Sequence, residues 1–166
     1  MLRLTVETGQ PVRAADGRPL GRVVDLTVRI DGRPPLVERI AIGHHRVESL
    51  VAWSGVAGFE HTAVHLRADA TPVPVPADTP VPLLDDELLL RRDVLDTQIV
   101  DTAGRRVQRV GDVLLVRLPD SRLEVVAVDV GPGPVLRRLG LGRLAEARPE
   151  QAVAWTHLHL TSRRGH

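Results

Sequence analysis

The chain repeats itself, and the spacing of that repeat limits what it can fold into more than any other feature. Residues 14–29 read AADGRPLGRVVDLTVR and residues 101–116 read DTAGRRVQRVGDVLLV. Gly17 and Gly104 stand 87 positions apart, and the same spacing pairs Val12 with Ile99, Leu20 with Val107, Arg22 with Arg109, Val23 with Val110 and Asp25 with Asp112. Matching residue classes at constant spacing mark two copies of one supersecondary unit. Further along the spacing becomes 88, pairing Gly43 with Gly131, Ile40 with Val128 and Ile42 with Val130. The second copy therefore carries one extra residue between Asp112 and Leu118, the form a β-bulge takes in sequence. At Ala52-Trp53 and Ala154-Trp155 the spacing is 102, so 14 more residues enter the second copy between Gly131 and Trp155.

The local patterns are those of β-structure. In LGRVVDLTVRI, Leu20, Val24, Leu26, Val28 and Ile30 share one parity while Gly21, Asp25, Thr27 and Arg29 share the other, which predicts a strand with one buried face. ADG at 15–17 and TAG at 102–104 before it suit tight turns whose glycine takes positive φ. In the second copy VLLV at 113–116, including Leu114 and Val116, is apolar on both parities, so its outer face needs a cover: the inserted segment, the other copy or a partner. The insertion GPVLRRLGLGRLAEARPEQ has leucines at 136, 139, 141 and 144 and a proline at 149, and reads as short helix broken near Gly140 and Gly142. Between the copies, ADATPVPVPADTPVP predicts an extended, stiff connector. DDELLLRRDVLDTQI predicts a strand leading into a helical turn, with Asp86 or Asp93 as its cap.

Composition narrows the classes of function. The formal charge is +1, from 22 basic and 21 acidic residues, and the charges balance within each half of the chain. A nucleic-acid binder concentrates basic residues on one face because phosphate neutralisation supplies much of its affinity, so no direct nucleic-acid contact is expected. Apolar runs are far shorter than the ~20 residues that cross a bilayer, and MLRLTVETGQ lacks the plan of a secretory signal. With no cysteine there is no disulfide or thiolate chemistry, which fits a cytoplasmic location.

With these residues in view, a module that opens with GQPVRAADGRPLGRVVDLTV and closes with LVAWSGV resembles the PRC-barrel superfamily. That superfamily includes the cytoplasmic domain of the photosynthetic reaction-centre H subunit and the C-terminal barrel of the ribosome-maturation factor RimM. LLLRRDVLDTQIVDTAGRRVQRVGDVLLVRL, VDVGPGPVLRRLGLGRL and AVAWTHL look like the second half of the tandem PRC-type region of actinobacterial proteins related to magnesium transporters. In those relatives the region precedes a helical magnesium-sensing domain and CBS domains. Neither lies within this sequence, and Gly111 stands where the pattern usually has Asn. The resemblance covers about residues 8–160 and implies a cytoplasmic regulatory or adaptor module, not transport.

Individual residues carry little chemistry. Asp25 and Asp112 are read as bonding backbone groups or an arginine near the turn, such as Arg22 or Arg109. One Asp per copy does not supply the converging oxygens a hard cation needs. Asp85, Asp86 and Glu87 read as a solvated linker end. His61 with His65, and His157 with His159, would each share a strand face and are weak candidates for a zinc site, requiring the two segments to meet. No serine lies in a GxSxG setting and no glycine-rich loop cradles phosphate, so no catalytic residue and no cofactor is assigned. Trp53 and Trp155 repeat with the module and are expected to pack the core.

The expected architecture is mainly β: two tandem small PRC-type barrels at 1–70 and 85–162, a proline-rich linker at 71–84, a helical insertion at about 134–149 and a polar tail at 163–166. The expected role is non-catalytic, a cytoplasmic adaptor or regulatory module that binds a protein partner, linked to a membrane transporter or magnesium homeostasis. A ribosome- or RNA-associated assembly factor is the alternative, followed by a small-ligand or metal sensor. Structural or interface weight falls on Gly17, Asp25, Trp53, Gly104, Asp112, Leu114, Val116 and Trp155. No membrane insertion is expected, and open strand edges would admit a homodimer.

Overall fold

The computed structural model describes residues 1–30, 35–101, 106–131 and 152–160. Gly104, the expected helical insertion at about 134–149 and the polar tail lie outside the described residues. What is described is mainly β, with a curled, half-barrel sheet. The first repeat runs β1 (Leu2–Arg3), a single helical turn α1 (Leu4–Glu7), β2 (Pro11–Arg13), β3 (Pro19–Arg29), β4 (Val37–Gly43), β5 (Ser49–Ala52), a 3-10 turn at Trp53–Gly55, β6 (Val56–Phe59) and β7 (Val64–Leu66). After β8 (Val73–Pro74), the second repeat follows with β9 (Glu87–Leu89), a π-type turn at Leu90–Val94, β10 (Gln98–Asp101), β11 (Arg106–Arg109), β12 (Asp112–Arg117), β13 (Leu123–Asp129), β14 (Ala152–Ala154), a 3-10 turn at Trp155–His157 and β15 (Leu158–Leu160).

Strand pairing shows that the repeats are interleaved. β12 has β13 on one side and, on the other, β1 of the first repeat, with Leu2 opposite Leu115 and Arg3 opposite Leu114. The end of β3 has β4 on one side and β9 of the second repeat on the other, with Leu88 opposite Val28 and Leu89 opposite Thr27. Thus each repeat hands its opening strand to the other. The proline-rich segment separates the repeats in sequence, but the sheets do not divide there. One buried cluster accordingly draws on both copies, from Leu4, Val12, Leu26 and Ile40 to Leu90, Ile99, Val113, Leu115 and Trp155.

Bulges fall elsewhere than the copy lengths suggest. Thr27 faces Arg39 and Val28 faces Val37, leaving Glu38 as an extra residue; Leu114 faces Ala127 and Leu115 faces Val125, leaving Val126. Both repeats therefore carry the same bulge on the return strand, and the extra residue of the second copy belongs to the hairpin connection. A second bulge at Val24 flips the parity of β3, because Val23 faces Ile42 while Asp25 faces Ala41. Val23, Leu26 and Val28 consequently share the core, and the strict alternation expected from Leu20 to Ile30 fails; Ile30 is 40% exposed.

Two glycines serve the bends. Gly17 has φ +85° in the turn between β2 and β3. A Cβ on Gly43, the last residue of β4, would lie 1.8 Å from the Arg46 carbonyl oxygen, so the chain turns back there only with hydrogen at that position. The proline-rich stretch is not extended throughout: it turns at Pro76–Thr79, where the Thr79 N–H and hydroxyl donate to the Pro76 carbonyl, and it is bound down on both sides of that turn. β8 pairs with β5, and Val75, Val81 and Leu83 pack with Ala41, Leu50 and Leu89. Proline at an edge strand costs no ladder bond on its solvent side, and the buried valines gain an apolar cover for the second face of the sheet.

Candidate functional site

The repeated aspartates do not secure their own turns. Asp25 and Asp112 are both buried, and each crosses to the opening turn of the other repeat. Asp25 Oδ1 accepts the N–H of Arg91 at 2.7 Å and that of Leu26 at 2.8 Å, and Oδ2 accepts the N–H of Arg92 at 3.0 Å. Asp112 Oδ1 accepts the N–H of Thr5 at 3.1 Å and of Val113 at 2.9 Å, while the Thr5 hydroxyl donates to Oδ2 at 2.6 Å. A helical turn leaves its first N–H groups without internal partners, and a carboxylate satisfies them well. Here the cap arrives from a residue 66 or 107 positions away. Neither Arg22 nor Arg109 is the arginine involved. Arg22 donates to the Gly9 carbonyl, and Arg109 lies 3.5 Å from Asp96.

The two caps differ in charge environment. Arg3 Nη1 lies 2.9 Å from Asp129 Oδ2 and 3.8 Å from Asp112 Oδ2, so the second joint contains a cation between two buried acids. Among the described residues Asp25 has no ion-pair partner, and Asp93 is nearby. Burial therefore pushes its carboxyl up to about 6, against the lowering effect of the three N–H donors, with the Asp93 charge adding to the rise. A buried acid whose pKa is raised is held more tightly in its protonated form when folded. Its contribution to stability is greatest below the ordinary 3.8 and is lost as pH climbs through about 6. Relative to Asp25→Asn, the wild-type protein should lose about 3 kcal/mol between pH 3.5 and pH 7 in urea titrations. A constant difference across that range would refute the assignment.

Glu87 departs from the solvated role expected of it. It is 1% exposed, and the Arg39 guanidinium meets it in a two-pronged ion pair while also donating to the Pro82 carbonyl. Burial by itself raises the Glu87 carboxyl, but the Arg39 hydrogen bonds and charge and the Leu84 N–H outweigh it and hold the group below the ordinary range. Asp86 pairs with Arg29 at the surface, and neither it nor Asp93 caps the turn at Leu90–Val94 through that turn's own first N–H groups. Asp93 instead accepts from the Leu89 N–H and from Arg92.

Neither histidine pair lies within one strand. His61 lies in the turn before β7, not on the strand with His65, and its Nδ1 is 3.1 Å from Oε1 of buried Glu7. His157 closes a 3-10 turn whereas His159 lies in β15, opposite Val100. The spacing of 102 places His157 and His159 at the positions of Gly55 and Ala57, so the two histidine pairs are not equivalent. Among the described residues, no three His, Asp or Glu side chains converge as metal ligands. A shallow groove beside the first hairpin is lined by Asp16, Arg18, Leu20, Leu66, Arg67 and Pro72, but its charged groups are all exposed.

Each tryptophan opens the 3-10 turn of its repeat. Trp155 is buried in the shared core; Trp53 is half-buried against it, its ring 5.5 Å from Phe59 at 44°. Leu114 is fully buried and Val116 half-buried, with β1 and α1 of the first repeat laid along β12. Among the described residues of the second repeat, exposed apolar surface lies instead on the β10–β11 hairpin, where Val100 and Val107 are cross-strand neighbours 36% and 66% exposed.

Arg3, Thr5, Asp129, Arg39 and Glu7 carry the buried polar chemistry and went unmarked by the motif pattern. One signal was present. At a spacing of 86, Leu2, Leu4 and Glu7 match Leu88, Leu90 and Asp93, which extends the repeat upstream through both opening arms. Among the described residues no helix is long and apolar enough to cross a membrane. No protein-family model matches this chain, and no curated protein matches it either.

Proposed function

We propose that the chain is a tandem PRC-type β-barrel module acting as a non-catalytic cytoplasmic adaptor, one that binds a protein partner linked to a membrane transporter or to magnesium homeostasis. The observation that carries this reading is the β10–β11 hairpin. Among the described residues β11 is the edge of its sheet, Val107 and Val100 stand exposed beside each other, and the exposed Arg106 and Arg109 lie on either side of Val107. An apolar centre with a charged rim at an edge strand suits a partner strand with an apolar residue between acidic ones, added through main-chain hydrogen bonds. The fine fold and the transporter link rest on the resemblance of the repeated segments.

The test is affinity capture from the native host with wild-type protein and with Val107→Asp, read by quantitative mass spectrometry. One stoichiometric protein should be retained by the wild type and reduced about ten-fold or more by the variant, at unchanged melting temperature. Equal capture by both proteins would remove the hairpin from the reading. Capture of ribosomal proteins alone would overturn the transporter link in favour of an assembly factor.

A further inference from the structure

The two joints between the repeats are equivalent in geometry and opposite in polarity. Arg3 opposite Leu114 corresponds to Leu89 opposite Thr27, and Asp112 opposite Asp129 corresponds to Asp25 opposite Ala41. Where Arg3 of one arm meets Asp129 at 2.9 Å, the other joint has Leu89 and Ala41 in one apolar cluster with Leu50 and Val75. Contacts related in this reciprocal way are the mark of a two-fold, isologous interface. A single chain obtains such an interface only by carrying the module twice.

From these matched polarities we infer that each long strand with its buried aspartate is a receptor for the opening arm of another module of the same kind, and that position 3 of the arm against position 129 of the receptor selects the unlike partner. The partner each receptor fits is a strand followed by a helical turn with open N–H groups. The β12 receptor, with Asp112 and Asp129, takes an arm bearing a cation. The β3 receptor, with Asp25 and Ala41, takes an arm bearing an apolar side chain.

Like pairing is penalised at both sites. An Arg3 arm on the β3 receptor would lie against Ala41 and Leu50 without the carboxylate of Asp129. A Leu89 arm on the β12 receptor would leave Asp129, now 2% exposed, without that guanidinium. Burying a charge without its counterpart costs more than either matched contact gains, so mismatch at this one pair discriminates between modules. The linker contributes to the β3 joint through Val75, Val81 and Leu83, which pack with Leu89 and Ala41. Residues Pro76–Pro80 are exposed and stand outside that cluster, so the chain can be cut there with its anchoring contacts left in place on either side.

The test uses the full chain with a site-specific protease sequence inserted between Asp78 and Thr79, cut after folding and examined by native mass spectrometry. The expected result is a 1:1 complex of the two halves. When cut wild-type protein is mixed with cut isotope-labelled protein, unlike halves should exchange and pairs of like halves should be absent. Free halves after cutting, or abundant like pairs, would overturn the inference. Arg3→Leu and Asp129→Ala alone should each weaken the cut complex by about thirty-fold or more. Arg3→Leu with Asp129→Ala reproduces the apolar joint and should recover much of the loss. Circular dichroism of the uncut variants checks that they fold. If a single variant does not, the cut double variant still decides the matter: a retained 1:1 complex is expected, and separation overturns the role of the pair.

Discussion

Asp112→Ala should lower the unfolding free energy by about 3–5 kcal/mol, measured by urea titration at pH 7. The side chain is fully buried and accepts from two backbone N–H groups and from the Thr5 hydroxyl, so its removal leaves donors of both repeats without an acceptor. Thr5→Val removes only the hydroxyl and should cost about 1 kcal/mol. The contrast separates a cap that joins two repeats from an ordinary buried hydrogen bond. It also has a local readout. Hydrogen exchange at the amide of Thr5, 107 residues away in sequence, should speed up in Asp112→Ala. Equal, small effects from both substitutions would show that the crossing contact does not hold the repeats.

Arg39→Met should cost a similar amount, about 3–5 kcal/mol at neutral pH, because it strands Glu87 in a buried site. Its pH dependence carries the sign that identifies the cause. In the wild type Glu87 is held below its ordinary 4.5, so the stability it contributes is present above that value and is lost as pH falls through the lowered one. In the variant the Arg39 hydrogen bond and charge are gone while burial stays, so the Glu87 carboxyl moves upward and the variant loses less stability on acidification than the wild type. The gap between the two proteins should therefore narrow steadily from pH 7 to pH 4. A gap independent of pH would assign the loss to the Arg39 methylenes and not to the ion pair.

Both predictions concern residues whose importance was only half visible beforehand. Asp112 stood out because it repeats, and its preference for backbone donors followed from the lack of nearby carboxylates. Its donors could not be read, since they lie on an arm before the recognised repeat begins. Glu87 looked like one of three consecutive surface acids. Pairing along β9 turned it toward Arg39 on β4 while Asp86 remained outside with Arg29. Consecutive residues in a strand point to opposite faces, so one of such a run becomes buried once the strand acquires a neighbour. The histidines illustrate the reverse error. Spacing of two residues implies a shared face only within a strand, and turns occupy both His61 and His157.

The sequence by itself determined the β class, the turn at Gly17, the doubled module and the positions of the tryptophans, because each depends on residues near one another in the chain and on side-chain periodicity. The tertiary structure alone decided whose strand each opening arm completes. Leu2-Arg3 and Leu88-Leu89 have the same local preference for extension whether they pair with their own repeat or with the other. The difference resides in contacts more than 60 residues apart, Asp25 with Arg91 and Asp112 with Thr5, and in where a buried charge finds its counterpart. Local pattern sets the shape of each piece. The free energy of closing all of them into one core sets which pieces meet.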